Sequence, residues 1–410
     1  APNPISQYAF DGMIELGQRL GSQIQPYRTP LAVITQDHAP SGRSVPSDPE
    51  SAKTSFVNRF GDPLGLKSNT WVSLLKPIKD DVNFEIRCNC TVTRLQTQGD
   101  TINNVFYLDP AGVERSVSGK LVVVACSAIE SIRLLKLSAS LQGEFDARIN
   151  QNPLLGKYFL THCFGGARAL MPERFDKSKA LDADWATDAC AIDDFLDANG
   201  LWAGAAIYNN TSDQALPISL FRTHGSRDLD TLWKGFADNT SIRGDNFVQF
   251  LDDEFGRGLS VSFMANQVPQ FDNRIELHPT IKDKWNRPVA YIKKTWHAHD
   301  VHLMNVMAEQ CGNVLRYGGD PINQNYPIQG QGAIYSAENA LARMANHILG
   351  GARFGNSESD SVLDPNCRAW HFDNLYVSDG SFMPTSGGAN PTLTIQANAF
   401  RVAQHLLSRL

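Results

Sequence analysis

At 410 residues, with 42% hydrophobic and 20% charged side chains, the chain can build two or three structural units around sizeable cores, and its composition excludes a disordered or fibrous protein. A net charge of −6 without any Lys/Arg block argues against nucleic acid or an anionic membrane as partner and suits small neutral or polar substrates. The seven cysteines are scattered, with no CxxC pair and no Cys/His finger spacing, so neither a structural zinc site nor a disulfide framework is implied.

The opening APNPISQYAF lacks an initiator Met and a signal-peptide hydrophobic region, which predicts an N-terminus that has been processed or cut. Tyr8, Met13, Leu16 and Leu20 fall near helical spacing within residues 6–26, and Gly21 is placed to close that helix. SGRSVPSDPES marks an exposed, mobile loop from about Asp37 to Ala52. GLKSNT (65–70) leads into WVSLLKPI, an apolar helical segment. Three strand-like runs follow, FEIRCNCTVTRLQ (84–96), NNVFYLD (103–109) and KLVVVACS (120–127), separated by turns at Gln98-Gly99-Asp100 and Pro110-Ala111-Gly112.

Leu121 to Ala125 show no alternation, the pattern of a strand covered on both faces in a parallel sheet, and AIESIRLLKLS continues with Ile129, Ile132 and Leu135 at helical spacing. A strand followed by a helix of this kind predicts a nucleotide-binding α/β architecture. The longest apolar stretch, LVVVACSAI, is far short of the roughly 20 residues a membrane-spanning helix needs. From about Cys163 to Tyr291, alternating segments such as LWAGAAIYNN and LSVSFMANQV predict an antiparallel sheet with one wet face in a second, substrate-side domain. VHLMNVMAEQCGNVLR (301–316) reads as an amphipathic helix, after which the chain returns through the helical run AENALARMAN to HILGGARFG.

The C-terminal region carries the chemistry. NLYVSD (374–379) is a strand ending in Asp379, at the end of an α/β sheet where ligand-contacting groups are presented. Pro391 suits the first helical position, which makes Asn390 the N-cap. Leu393, Ala397, Phe400, Ala403, Leu407 and Leu410 form one apolar stripe, predicted to anchor the helix by packing. A helix N-terminus so held favours an anionic ligand group, such as the N1/C2=O edge of a reduced flavin. Gly387 and Gly388 remove side chains where a flat ring would approach the backbone. The plainer alternative stays open, in which Asn390 only caps a helix and the glycines only form a turn. His347 stands 43 positions before Asn390, and the order is His-x-x-Gly-x-x-Arg-x-Gly, Leu363-Asp364, NLYVSDGS, GGANPTLT.

That order closely resembles the signature region of the glucose-methanol-choline (GMC) oxidoreductases, a family of flavoenzymes. GANPTLT is especially similar to the version in pyranose oxidases and related sugar dehydrogenases. GLKSNT, NFEIRCNCTVTRL, LVVVACSAIESIRLL, NPLLGKYFLTH and NRIELHPTIKDKWNRPV are similar to successive family blocks, so the resemblance extends over most of the chain. It implies an α/β (overall α+β) fold, with a partial FAD-binding, Rossmann-like domain at 1–160, a substrate-binding domain at 161–333, and the rest of the FAD-binding domain, with the catalytic pair, at 334–410. It also implies that His347 and Asn390 are that pair. Pro391 and Thr392 would lie at the flavin C2=O edge, Asp379 and Gly380 along the ribityl-diphosphate, and the Val92 backbone against the adenine. Cys126 and Ser127 stand where many members have Ala-Gly.

The residue types agree with the chemistry the resemblance implies, oxidation of a CH–OH group of a sugar or glycoside by proton abstraction and hydride transfer to flavin N5. A neutral His can take the hydroxyl proton, and an Asn can donate to the developing alkoxide without competing as a base.

The sequence departs from the family in one large respect: it contains no GxGxxG loop for the FAD diphosphate. GQRLG at 17–21 and GQG at 330–332 lack both the spacing and a preceding apolar strand. Truncation, a partner polypeptide carrying the missing unit, or loss of the cofactor would each explain this, and the intact His347, Asn390 and Asp379 strand favour the first two. The alternative function is therefore a partner-dependent or non-catalytic subunit, with a second polypeptide supplying the dinucleotide unit or accepting electrons. Gly351 and Phe354 stand where Thr and Met are usual.

WHAHDVH (296–302) offers a third, metal-dependent reading, with His297 and His299 on one face of a strand. Asp300 as N-cap of the next helix would carry His302 away, so a solvated corner is preferred. His162 reads as structural, and Trp185, Trp202 and Trp233 as sheet packing rather than sugar platforms.

Overall fold

A computed structural model describes residues 2–47, 61–177, 180–211, 248–249, 252, 255–319 and 347–410. The helical run AENALARMAN, Trp233, the GQG at 330–332 and residues 48–52 of the proline-bearing loop lie outside the described residues. In chain order the main elements are α1 (Ser6–Leu20), β1 (Tyr27–Arg28), β2 (Thr91–Gln98), β3 (Thr101–Leu108), β4 (Glu114–Val117) and β5 (Val122–Val124). They continue with α2 (Ala128–Leu141), α3 (Gly143–Ile149), β6 (Cys163–Leu170), β7 (Trp185–Thr187), α4 (Asp193–Ala198), β8 (Ala205–Asn210) and β9 (Gly258–Ala265). The last are β10 (Arg274–Lys282), β11 (Pro288–Lys293), α5 (Ala298–Gly318), β12 (Leu375–Val377) and α6 (Thr392–Leu407).

The chain condenses into two units, one of residues 1–85, 165–263 and 305–334, the other of 86–164, 264–304 and 335–410. In the first, α1 buries Ala9, Gly12, Met13 and Leu16 and ends at Gly21, whose φ of 68° gives the left-handed C-cap its position in the sequence suggests. Gly12 is obligatory where α1 meets α5, because a Cβ there would lie 1.9 Å from the Val314 carbonyl oxygen. That contact ties α1 to the 305–334 segment, and β1 pairs with β7 of the 165–263 segment. The sheet of this unit has the order β1-β7-β8-β9-β6. β8 alternates as expected for one covered face, but β9 is buried along almost its whole length, so the wet face expected of LSVSFMANQV is absent. WVSLLKPI forms a π-helical turn, Trp71–Leu75, and a 3₁₀ turn, Lys76–Ile78, neither with a buried side chain; Pro77 has no N–H with which to continue an α-helix.

In the second unit β2, β3 and β4 form an antiparallel meander, and Thr93, Leu95 and Thr97 of β2 point inward. The extended run expected from Phe84 begins only at Thr91, because Asn89 turns the chain at a φ of 57°. β4 carries only exposed side chains, so no hydrophobic period announced it. β5 and β12 pair in parallel, Val122 to Val124 beside Leu375 to Val377. The expectation that this strand is covered on both faces fails at Val123, which is 44% exposed: among the described residues its sheet has only two strands. The core joins Ile132 and Leu135 of α2 with Leu95, Val124, Phe145, Leu160, Ile275, Leu349, Tyr376 and Val402.

Helix α6 reverses the sequence expectation. Leu393, Phe400, Leu407 and Leu410 are 78%, 63%, 73% and 66% exposed, and α6 instead buries Asn398 and Val402, with Ile395 and Leu406 partly covered against the core. Positions 395, 398, 402 and 406 also recur at helical spacing, and that stripe is the one that packs.

Candidate active site

The second unit brings residues far apart in sequence to one place through a short antiparallel contact. Leu160 and Leu349 exchange backbone hydrogen bonds of 2.8 and 3.0 Å. Two residues onward along each strand, in opposite directions, stand His162 and His347, which antiparallel pairing sets on the same face. On the other side the His347 segment is bonded to the turn after β12, Gly350 N–H to the Gly380 carbonyl and Ala352 N–H to that of Ser381, both at 3.0 Å. Gly350 is required here: its φ is 73° and a Cβ would stand 2.2 Å from the Tyr158 carbonyl oxygen.

The two imidazoles lie edge to face, 4.9 Å between centroids, with Nδ1 of His347 3.1 Å from Nδ1 of His162. On the other side of the His347 ring, Nε2 is 3.5 Å from Asn390 Nδ2. Burial holds the His347 pKa below its ordinary value, so the ring is a neutral imidazole at neutral pH. Burial, and next the neighbouring His347, lower His162 to about 4 against the opposing pull of the Ser386, Ala389 and Gly387 carbonyls.

The loop that carries Asn390 is tied down before it. Ser386 Oγ accepts the Gln267 N–H at 2.9 Å and donates to Asn266 Oδ1 at 3.2 Å, while Gln267 Oε1 accepts the Thr161 N–H at 2.8 Å. Gln267 thus links this loop to the strand of His162, a role no local sequence signal announced. Asn390 is exposed and is not the N-cap: Pro391, already helical at φ −82° and ψ −10°, holds the cap position, and the Asn390 carboxamide turns to His347 instead. The first turn of α6, Thr392 to Thr394, is exposed and has no side-chain cap.

Asp379 lies buried at the end of β12. Its Oδ1 accepts from Ser381 N–H at 2.9 Å and Ser381 Oγ at 2.6 Å, and its Oδ2 accepts the Ser131 hydroxyl of α2. It thereby caps the turn whose carbonyls receive the His347 segment. Gly380 allows that approach, since a Cβ there would lie 2.7 Å from the Ile348 carbonyl oxygen. Val92 stands on β2, where its carbonyl accepts from Arg287 Nη1 at 3.2 Å.

His299 belongs to the first turn of α5 rather than to a strand, because the helix begins at Ala298. Asp300 acts from inside that turn, its Oδ2 accepting the His297 N–H at 3.2 Å and its Oδ1 that of Val268 at 2.9 Å. Among the described residues no group of three or more His, Cys, Asp or Glu side chains is arranged to hold a metal ion, and no helix is long and apolar enough to cross a membrane.

Two models of the GMC oxidoreductase family match, the N-terminal one over residues 35–163 and the C-terminal one over 269–399. Paromamine 6'-oxidase of Streptomyces fradiae is 28% identical over 98% of this chain and 66% of its own length. The gluconate 2-dehydrogenase flavoprotein of Pantoea cypripedii is 22% identical over 90% of this chain and 61% of its own. The chain thus spans somewhat under two thirds of the length of these relatives. Among solved structures, pyridoxine 4-oxidase from Mesorbium loti superposes with a TM-score of 0.57 at 15% identity, over 98% of this chain and 69% of that one, a likeness of fold. With both family models matched and the fold shared, the chain belongs to the GMC oxidoreductases.

Proposed function

We propose that this chain carries the catalytic pair of an FAD-dependent oxidoreductase that oxidises a CH–OH group of a sugar or glycoside. The observation that carries this reading is the meeting of His347 Nε2 and Asn390 Nδ2 at 3.5 Å, beside the exposed, uncapped N-terminus of α6. Those free N–H groups suit the electron-rich C2=O edge of a flavin ring, so the residues present fit the ring end of FAD, with Pro391 and Thr392 flanking it. Asp379 and Gly380 are assigned to the ribityl-diphosphate, and the Val92 backbone to the adenine, by their matches to family positions. FAD, when bound, supplies the hydride acceptor.

Within that frame His347 Nε2 takes the proton of the substrate hydroxyl, since the ring is neutral and its base nitrogen faces Asn390. Asn390 Nδ2 donates to the oxygen as it gains negative charge, and the carboxamide stays neutral throughout. Sugar as the substrate class is supported by the GANPTLT motif and by relatives named for paromamine and gluconate. Replacing His347 with Ala and following anaerobic flavin reduction by a panel of sugars tests the base: the rate should fall by roughly 10²- to 10⁴-fold. Undiminished reduction would remove His347 from that role.

A relative named as one subunit of a larger enzyme, the fructose dehydrogenase large subunit of Gluconobacter japonicus, favours a second reading, in which a partner polypeptide provides the diphosphate-binding unit. Purified alone, the chain would then be colourless and turn yellow only in the partner's presence; a yellow, FAD-loaded single chain would rule this out.

A further inference from the structure

We propose that His162 is a positioning residue that sets the tautomer of His347, keeping its proton on Nδ1 and leaving Nε2 bare towards the substrate hydroxyl. Its importance rests on the reading of His347 as the base. Two imidazole nitrogens 3.1 Å apart must share one proton, because two lone pairs or two N–H groups facing each other at that distance would repel. Which ring owns the proton is decided at the far side of His347, where Nε2 faces the Asn390 Nδ2 donor at 3.5 Å. The His162 ring is fully buried, and its Nε2 has no hydrogen-bond partner among the described residues.

A donor opposite Nε2 calls for a lone pair there, so the proton of a neutral His347 belongs on Nδ1. The depressed pKa of His162 keeps that ring neutral too, with its single ring proton on Nε2. His162 Nδ1 is then an acceptor, and the shared proton lies on His347 Nδ1. The remaining nitrogen of His347 is a lone pair, in keeping with the Asn390 Nδ2 donor that faces it. When His347 Nε2 takes the hydroxyl proton, the resulting cation keeps its Nδ1–H donated to His162. The orientation follows from the Leu160 and Leu349 bridge, which sets the two rings on one face.

The test reads the ring nitrogens directly and needs no bound cofactor. The chain is labelled with ¹⁵N-histidine, and its ten histidines are assigned by single substitutions. Long-range ¹H–¹⁵N correlation should then show His347 protonated on Nδ1 and bare on Nε2, and His162 the reverse. His162→Asn retains an acceptor where Nδ1 stood and should preserve the His347 pattern, whereas His162→Leu should lose it. A native His347 protonated on Nε2 overturns the proposal, and so does a His162→Leu chain in which the Nδ1 proton persists. Should His162→Leu fail to fold, the native spectrum still decides. Flavin reduction undiminished in His347→Ala would remove the base and leave this proton assignment standing, so the two readings fail separately.

Discussion

Ser127, between β5 and α2, has a φ of 72° and a ψ of 151°, a region that glycine enters readily and a side chain enters at a cost of about 1 to 3 kcal/mol. Ser127→Gly should therefore raise stability by about 1 kcal/mol, after allowing for the greater freedom of glycine in the unfolded chain. An unchanged or lower urea midpoint would show that the conformation is not strained. The paired histidines belong to the same scale. Because the folded pKa of His162 is about 4 against an ordinary 6.5, the unfolded chain binds more protons between those values. The stability His162 contributes is thus complete above pH 6.5 and is lost as the pH falls towards 4, a change on the order of 3 kcal/mol. Urea denaturation at pH 7 and pH 4.5 measures it, and His162→Asn should flatten that acid limb. His162 itself was visible in the sequence only as a structural residue, because a bridge between Leu160 and Leu349, 189 positions apart, has no local signature.

At the scale of the element, helix α6 shows why a period identifies a helix more securely than its inner face. Its residues carry two apolar stripes, 393-397-400-407 and 395-402-406, and the richer of the two is the exposed one. Position 398, between the members of the second stripe, holds Asn398, which buries its amide by donating to Cys367 Sγ at 3.4 Å and accepting from Arg401. Val402→Ala should cost roughly 1 to 3 kcal/mol by opening a cavity in the core, and Phe400→Ser less than about 0.5 kcal/mol. Equal losses in thermal unfolding would mean that the exposed stripe is covered in solution. Strand β5 follows a similar logic: its unbroken run of valines predicted a parallel strand, which it is, but the run could not report how many strands lie beside it. The extended run before β2 was cut short by the single left-handed Asn89, a conformation that side-chain pattern does not encode.

For the whole molecule, length and composition allowed two or three units, and two are found, each drawn from three separated stretches of chain. The first gathers its N-terminal helix to α5 through the contact at Gly12, which a reading in chain order could not foresee. The colour of the purified chain is the prediction at this scale, because loading with FAD depends on the diphosphate end of the cofactor as well as on the ring end that these residues fit.

By itself the sequence determined the family and singled out His347 and Asn390 as the candidate pair, because motif order and residue chemistry are local properties that survive without coordinates. Tertiary structure alone decided that those two side chains meet, that His162 stands behind them, that Pro391 rather than Asn390 caps α6, and which stripe of that helix faces the core. These are outcomes of long-range backbone pairing and of competition between alternative packed faces, and both depend on segments hundreds of positions apart settling together.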